Sequence, residues 1–285
     1  MPNDRVKGYM NKENPRVVLV TGASSGIGLA CATHLAGRGF RVYGASRRAA
    51  AGSAGLANVT MLTADVTDDH SVEQAVATVL DREGRLDILV NNAGMGIAGP
   101  VENTTIELAK AQFEVNFFGA LRVCRAVLPA MRSQRSGYIV NVGSIGGILA
   151  IPYQSMYSAS KFALEGLSEA LRMEVRPFGI RVVIIEPGDH KTALTKNRRF
   201  TETPAVAEAY RPSFEAALSK TAHDEQSGPG PEQIARLLHR IVNQRHPRLR
   251  HTIGPVPQRA AVWLKRLLPY SILEYSMRKY YGLRG

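Results

Sequence analysis

The strongest constraint on the fold is an alternation. From residue 16 to about 185, short β-branched and aliphatic runs take turns with stretches of helical spacing. Residues 16–21 (RVVLVT), 40–45, 59–63, 86–91 (LDILVN), 138–142 (YIVNV) and 180–186 (IRVVIIE) read as strands. They are nearly continuous apolar runs, the pattern of strands covered on both faces. Between them, residues 27–38, 71–80, two stretches within 104–131, and 153–175 have helical spacing. A helix after each strand carries the chain back across the sheet, so successive strands pair in parallel through right-handed crossovers. The expectation is an α/β fold, a Rossmann-type doubly wound parallel sheet of about seven strands with helices on both faces.

Residues 15–256 read as one domain, after a flexible polar tail at 1–14. Beyond residue 190 the patterning weakens. Residues 192–228 read as a lid with a helical break at Pro212, followed by a helix at 232–242 and a short strand at 251–253. Two amphipathic helices, near 258–268 and 271–281, form a C-terminal extension at 257–285.

Composition excludes several classes. The chain is 45% apolar and 21% charged, ordinary for a globular protein with a sizeable core. Cys31 and Cys124 stand apart among apolar neighbours, which suggests buried thiols in a reducing compartment and no metal spacing. The tail lacks the apolar stretch of a signal peptide, and no run approaches the ~20 residues of a membrane span. The reading is cytoplasmic. The net charge of +12 is concentrated late, since Glu274 is the only acidic residue from Arg236 onward. That excess lacks the aromatic interleaving of a nucleic-acid module, so anions, acidic lipid or a partner fit better.

Three stretches carry chemistry. Thr21-Gly22-Ala23-Ser24-Ser25-Gly26-Ile27-Gly28 joins the first strand to the first helix. Its glycines allow a tight turn and close approach of a pyrophosphate to the helix N-terminus. Asn91-Asn92-Ala93-Gly94 follows the fourth strand, with small residues that leave room beside a nucleotide. In the segment 153–175, Tyr157 and Lys161 lie one helical turn apart on one face. A free phenol, with a pKa of roughly 10, is a donor at neutral pH. A nearby ammonium lowers that value towards the range of acid–base work.

Together these stretches resemble the short-chain dehydrogenase/reductase family over residues 16 to about 192. The likeness rests on TGASSGIG, Asp65-Val66, NNAG, Asn116, Ser144 with Tyr157-x-x-x-Lys161, and Pro187-Gly188 followed by Thr192. It implies that Tyr157 is the general acid/base and that Lys161 lowers its pKa and binds the nicotinamide ribose. Ser144 would hold the substrate oxygen, and Asn116 would anchor a water leading from Lys161 to solvent. The cofactor set it implies is Gly22, Ser24, Ser25, Gly26, Ile27, Gly28, Asp65, Val66, Asn92, Ala93, Gly94, Tyr157, Lys161, Pro187, Gly188, His190 and Thr192. Where the second strand ends, Ser46, Arg47 and Arg48 replace the carboxylate that would bond the ribose 2′-OH of NAD. An arginine there suits a 2′-phosphate, so the expected cofactor is NADPH/NADP+. His190 departs from the family's usual aliphatic residue. It is read as a solvent-facing loop side chain, with an approach to substrate as the alternative.

The loops 143–156 (GSIGGILAIPYQSM) and 93–100 (AGMGIAGP) offer almost no charge. A lipophilic ketone, aldehyde or secondary alcohol suits such walls. Residues 157–169 are most similar to the 17-beta-hydroxysteroid and retinol dehydrogenase branch, which implies a steroid, retinoid or aliphatic substrate. The family also implies a homodimer or homotetramer through the helices near 115–131 and 154–175. The basic C-terminal helices pack on the protein's own core or a second subunit, or contact an anionic membrane. A catalytically silent NADP(H)-binding regulatory protein is the rival reading.

Overall fold

The computed structural model describes residues 14–47, 58–192, 197–201 and 208–283. The tail assigned to 1–14 and the cofactor residue Arg48 lie almost wholly outside them. Seven parallel strands form the main sheet: β1 (Val17–Thr21), β2 (Arg41–Ser46), β3 (Val59–Thr63), β4 (Ile88–Asn91), β6 (Gly137–Val142), β7 (Ile180–Pro187) and β9 (Arg250–Ile253). Their order is β3-β2-β1-β4-β6-β7-β9, so the strand order reverses between β1 and β4. In an open α/β sheet, that reversal leaves a crevice at the carboxyl ends of the strands.

The central strands read as apolar runs because both faces are covered. One face packs on α1 (Gly26–Ala36) and a late helix, α7 (Glu232–Val242), through Val18, Val20, Ile234 and Leu238. The other packs on α2 (Asp69–Glu83), α4 (Gly119–Gln134) and α5 (Ser155–Val175) through Leu19, Val79, Val127 and Leu171. Burying each such aliphatic side chain contributes about 1.5–3 kcal/mol. Asp68 caps α2 by accepting from Ser71 N at 2.6 Å, and Gly84 ends it with φ 67°.

Three features differ from the sequence reading, and a fourth decides between its alternatives. The stretch 104–131 is one nearly continuous rod, with α3 (Ile106–Phe113) passing into α4 through a π-turn at Glu114–Phe118. A π-turn has no sequence period of its own, and such turns gather at functional sites. Pro212 opens a helix, α6 (Arg211–Ser227), instead of breaking one, because the first helical turn needs no N–H from proline. A two-residue pair, β5 (Ile97–Ala98) with β8 (Arg199–Phe200), is too short to show a period. Finally, α8 (Val256–Leu264) and α9 (Tyr270–Tyr280) fold back onto the chain, burying Val262 and Leu273 against Leu149. Among the described residues, no helix is long and apolar enough to cross a membrane.

Candidate active site

The loops after β1, β4, β6 and β7 meet at the crevice. Gly22 has φ +66°, and a Cβ there would stand 2.9 Å from Ala93 Cα. A Cβ on Gly28 would meet Gly22 O at 2.3 Å and Asn92 Nδ2 at 2.4 Å. The two loops are also stitched by hydrogen bonds. Asn92 Nδ2 donates to Thr21 O at 2.9 Å, while Thr21 Oγ1 accepts from the backbone N of Asn92 and Ala93 at 3.0 Å each. The Ser25 side chain does not cap α1, which leaves the helix N-terminus to an anion.

Farther along, Ser46 is buried at the end of β2 and its Oγ lacks a partner, while Arg47 beside it is exposed. An orphaned hydroxyl and an exposed guanidinium beside a glycine cradle fit a phosphorylated nucleotide. Asp65 Oδ1 accepts from Thr67 N at 2.9 Å and Thr67 Oγ1 at 2.8 Å, which fixes the turn after β3. Val66 follows and packs where a Cβ on Gly119 would come within 2.9 Å of it.

The remaining polar residues converge on α5. Asn116, in the π-turn, accepts from Met95 N at 2.9 Å and donates to Met95 O at 3.1 Å and Ser160 Oγ at 3.1 Å. A Cβ on Gly94 would lie 3.3 Å from Asn116 Oδ1 and 4.0 Å from Lys161 Nζ, so NNAG, Asn116 and Lys161 form one cluster. Lys161 Nζ donates to Val142 O at 2.8 Å and lies 5.9 Å from the Tyr157 ring centroid. Burial lowers the Lys161 ammonium to about 8, with Glu165 acting in the opposite direction.

The expected lowering of the Tyr157 phenol is not what its surroundings produce. Burial raises its pKa, and the hydrogen bond from the Ser144 side only partly opposes that. Ser144 lies two residues beyond β6, where its Oγ accepts from Gly146 N at 3.0 Å and approaches Pro187 O at 3.5 Å.

Ser144 and Tyr157 stand in the wall of a cavity of about 280 Å³. Ile145, Leu149, Leu264, Leu273 and Met277 supply most of its apolar side. The helices α8 and α9 therefore pack on the protein's own site through one face, as the first of the sequence alternatives held. A polar end is built by Asp189, His190, Thr221, Glu225 and Gln258. Of these, only His190 carried a sequence signal.

The expectation that His190 faces solvent is wrong. It is 4% exposed, because the chain turns inward after Gly188 and its Nδ1 pairs with Gly188 O at 2.9 Å. Its Nε2 is buried without a partner, and burial lowers its pKa. Thr192 lines the same cavity. Asp189 and Gln258 lie 69 positions apart and were invisible as a pair.

The parallel sheet, the glycine cradle and the Ser144–Tyr157–Lys161 cluster define a class of nucleotide-dependent oxidoreductase. The short chain dehydrogenase family model matches residues 16–203, and the chain belongs to that family. It is 43% identical over 270 residues to a 3-ketodihydrosphingosine reductase of Bacteroides thetaiotaomicron, covering 95% of this chain and 99% of that one. It is 36% identical to the 17-beta-hydroxysteroid dehydrogenase type 1 of Mus musculus, covering 84% of this chain and 73% of that one, so the similarity to the steroid branch holds. Among solved structures, a short-chain dehydrogenase from Streptomyces avermitilis superposes with a TM-score of 0.79 at 36% identity, covering 93% and 97% of the two chains. A short chain dehydrogenase/reductase from Burkholderia phymatum in complex with NAD superposes at 0.75 with 25% identity, over 94% and 97%.

Proposed function

We propose that this oxidoreductase uses NADPH to reduce a lipophilic ketone, and that a long-chain 2-amino ketone of the 3-ketodihydrosphingosine type is its substrate. The observation that carries the reading is the cavity, with the Ser144 and Tyr157 hydroxyls in one wall and aliphatic side chains from α8 and α9 opposite. The relative of nearly equal length that reduces such a ketone supports the choice of chain.

The nicotinamide, when bound, supplies the hydride. The carbonyl oxygen gains charge as hydride reaches its carbon, and the Tyr157 phenol donates its proton there. Ser144 donates a second hydrogen bond to the same oxygen, a stabilisation realised most fully in the transition state. A phenol raised by burial stays protonated at neutral pH, which suits reduction. Lys161, lowered to about 8, is a group from which a proton can follow, and Asn116 holds the loop through which water would reach it. Ser46 and Arg47, and by sequence Arg48, would hold the 2′-phosphate, while Gly22, Gly28 and the α1 N-terminus would hold the pyrophosphate.

The decisive assay follows NADPH oxidation with long-chain amino ketones, steroids, retinals and simple aliphatic ketones. Turnover of the long-chain ketones supports the reading, and none with any carbonyl moves it to the regulatory alternative. NADPH should bind more tightly than NADH, and the reverse order removes the assignment of Ser46 and Arg47.

The outer face of α8 and α9 supports a second element of the reading. Trp263, Leu267, Tyr270 and Tyr275 are 60%, 62%, 72% and 67% exposed, and Arg259, Arg266 and Lys279 are exposed on the same two helices and the turn between them. Aromatic and aliphatic side chains among cations suit the surface of an anionic membrane, where a lipid-like substrate resides. Co-sedimentation of the full chain with anionic liposomes should fall when Trp263 and Leu267 are both replaced by serine. A homodimer or homotetramer through α4 and α5 is the proposed assembly.

A further inference from the structure

The polar end of the cavity holds a carboxylate that the reductase chemistry does not use. Asp189 lies two residues beyond Pro187, whose carbonyl is 3.5 Å from Ser144 Oγ, so it stands beside the place proposed for the ketone. Gln258 of α8 clamps it from both sides. The amide oxygen of Gln258 accepts from Asp189 N at 2.9 Å, and its nitrogen donates to Asp189 Oδ2. A loop aspartate is thereby held in one orientation by a helix from the far end of the chain.

Among the described residues, Lys220 and Arg198 stand at this end and each is paired with another acid. Lys220 bonds Asp224 at 2.6 and 2.7 Å, and Arg198 bonds Glu225 at 2.5 Å. Among the described residues no lysine or arginine forms an ion pair with Asp189. His190, next to it, is held towards its neutral form by burial and keeps an unpartnered Nε2 in the same wall. A partly buried carboxylate without a counter-ion is costly and calls for a cation or a proton.

We infer that Asp189 is the recognition group for a substrate ammonium, so that the cavity selects a ketone bearing a protonated amine on the carbon next to the carbonyl. This rests on the reading of the cavity as a ketone site. It adds the reason why an amino ketone would be preferred over an equally long plain ketone. The amine, placed beside the carbonyl by covalent structure, would meet the carboxylate while Tyr157 and Ser144 hold the oxygen. The rest of the chain would lie along α8 and α9. Burial raises Asp189 to about 6, with Glu225 and Asp224 adding to the rise and Gln258 and Lys220 opposing it. A bound ammonium would reverse that rise, so selection should weaken as pH falls below about 6.

The test is calorimetric binding of a saturated long-chain 2-amino alcohol and of the same alcohol lacking the amine, in the presence of NADP+. It uses the full chain, Asp189→Asn and Asp189→Glu, with turnover of the matching ketones measured in parallel. The wild type should favour the amine. Asp189→Asn should cut that preference roughly 10- to 100-fold, as expected for a hydrogen bond to a charged group, and Asp189→Glu should restore part of it. Equal binding of both alcohols by the wild type overturns the inference. So does an Asp189→Asn that weakens both by one factor, which would mark a structural role. Amine selection through Asp189 without turnover of either ketone would instead sink the reductase reading alone.

Discussion

The nucleotide cradle and the neighbouring cavity meet at Ser144 and Tyr157, yet they are built in opposite ways. The cradle is made of backbone. Where Gly22 and Gly28 face Asn92 and Ala93, there is no space even for a methyl group. The cavity is made of side chains, drawn from the loop after β6, the loop after β7, α6, and the C-terminal helices. A cradle for one invariant molecule can be fixed by short contiguous stretches of small residues. The cavity, by contrast, is assembled from segments distant in the chain. The two regions should therefore fail differently when altered.

The largest effect belongs to the junction. Tyr157→Phe should lower turnover by ~10²–10⁴, the usual worth of a general acid, while thermal unfolding and nucleotide titration show fold and binding retained. Turnover at the wild-type rate would remove Tyr157 from the proton transfer.

Next comes the cradle. Gly28→Ala forces a Cβ against Gly22 O and Asn92, so it should cost about 1–3 kcal/mol of stability by overpacking. It should also weaken both NADPH and NADH. Denaturant unfolding and fluorescence titration read the two. An alanine variant with unchanged nucleotide affinity would show that the loops can separate, and the contrast would collapse.

A smaller, one-sided effect is expected from the cavity. Leu273→Ala removes apolar wall without touching the cradle. KM for a long-chain ketone should rise roughly 4- to 10-fold, at about 0.8 kcal/mol per methylene no longer buried, with nucleotide affinity unaltered. A matching loss of nucleotide affinity would show that the two regions act as one.

The smallest effect lies behind both, where Arg250 bonds Glu165 at 2.8 Å and Glu169 at 2.5 Å and reaches Glu186 at 3.4 Å. Burial, then Glu186, raises Glu165 from 4.5 to about 7. Between those values the folded chain keeps a proton that the unfolded chain has released, so this group makes stability fall as pH rises through the window. Glu165→Gln should flatten that part of the stability–pH curve. A slope left unchanged would assign it to Glu186, which is raised in the same direction.

Much of this could be read before the structure. The strands at 17–21 and 59–63 and the helix at 232–242 were visible because apolar periodicity and Gly/Pro punctuation are local properties. The glycine loop, NNAG and Tyr157 with Lys161 were legible for a related reason: each needs a fixed spacing within a few residues. The π-turn that presents Asn116 was not, since nothing in residues 114–118 marks an extra backbone residue per turn.

What the sequence alone determined is the parallel sheet, the cradle and the spacing of Tyr157 and Lys161, all signalled by patterns that are local in the chain. Only the tertiary structure decided which way charge and polarity face. It turned His190 inward, set the Lys161 ammonium on Val142 O, and brought Gln258 from α8 onto Asp189. Burial and long-range pairing set those outcomes, and neither is a property of a residue's neighbours in the chain.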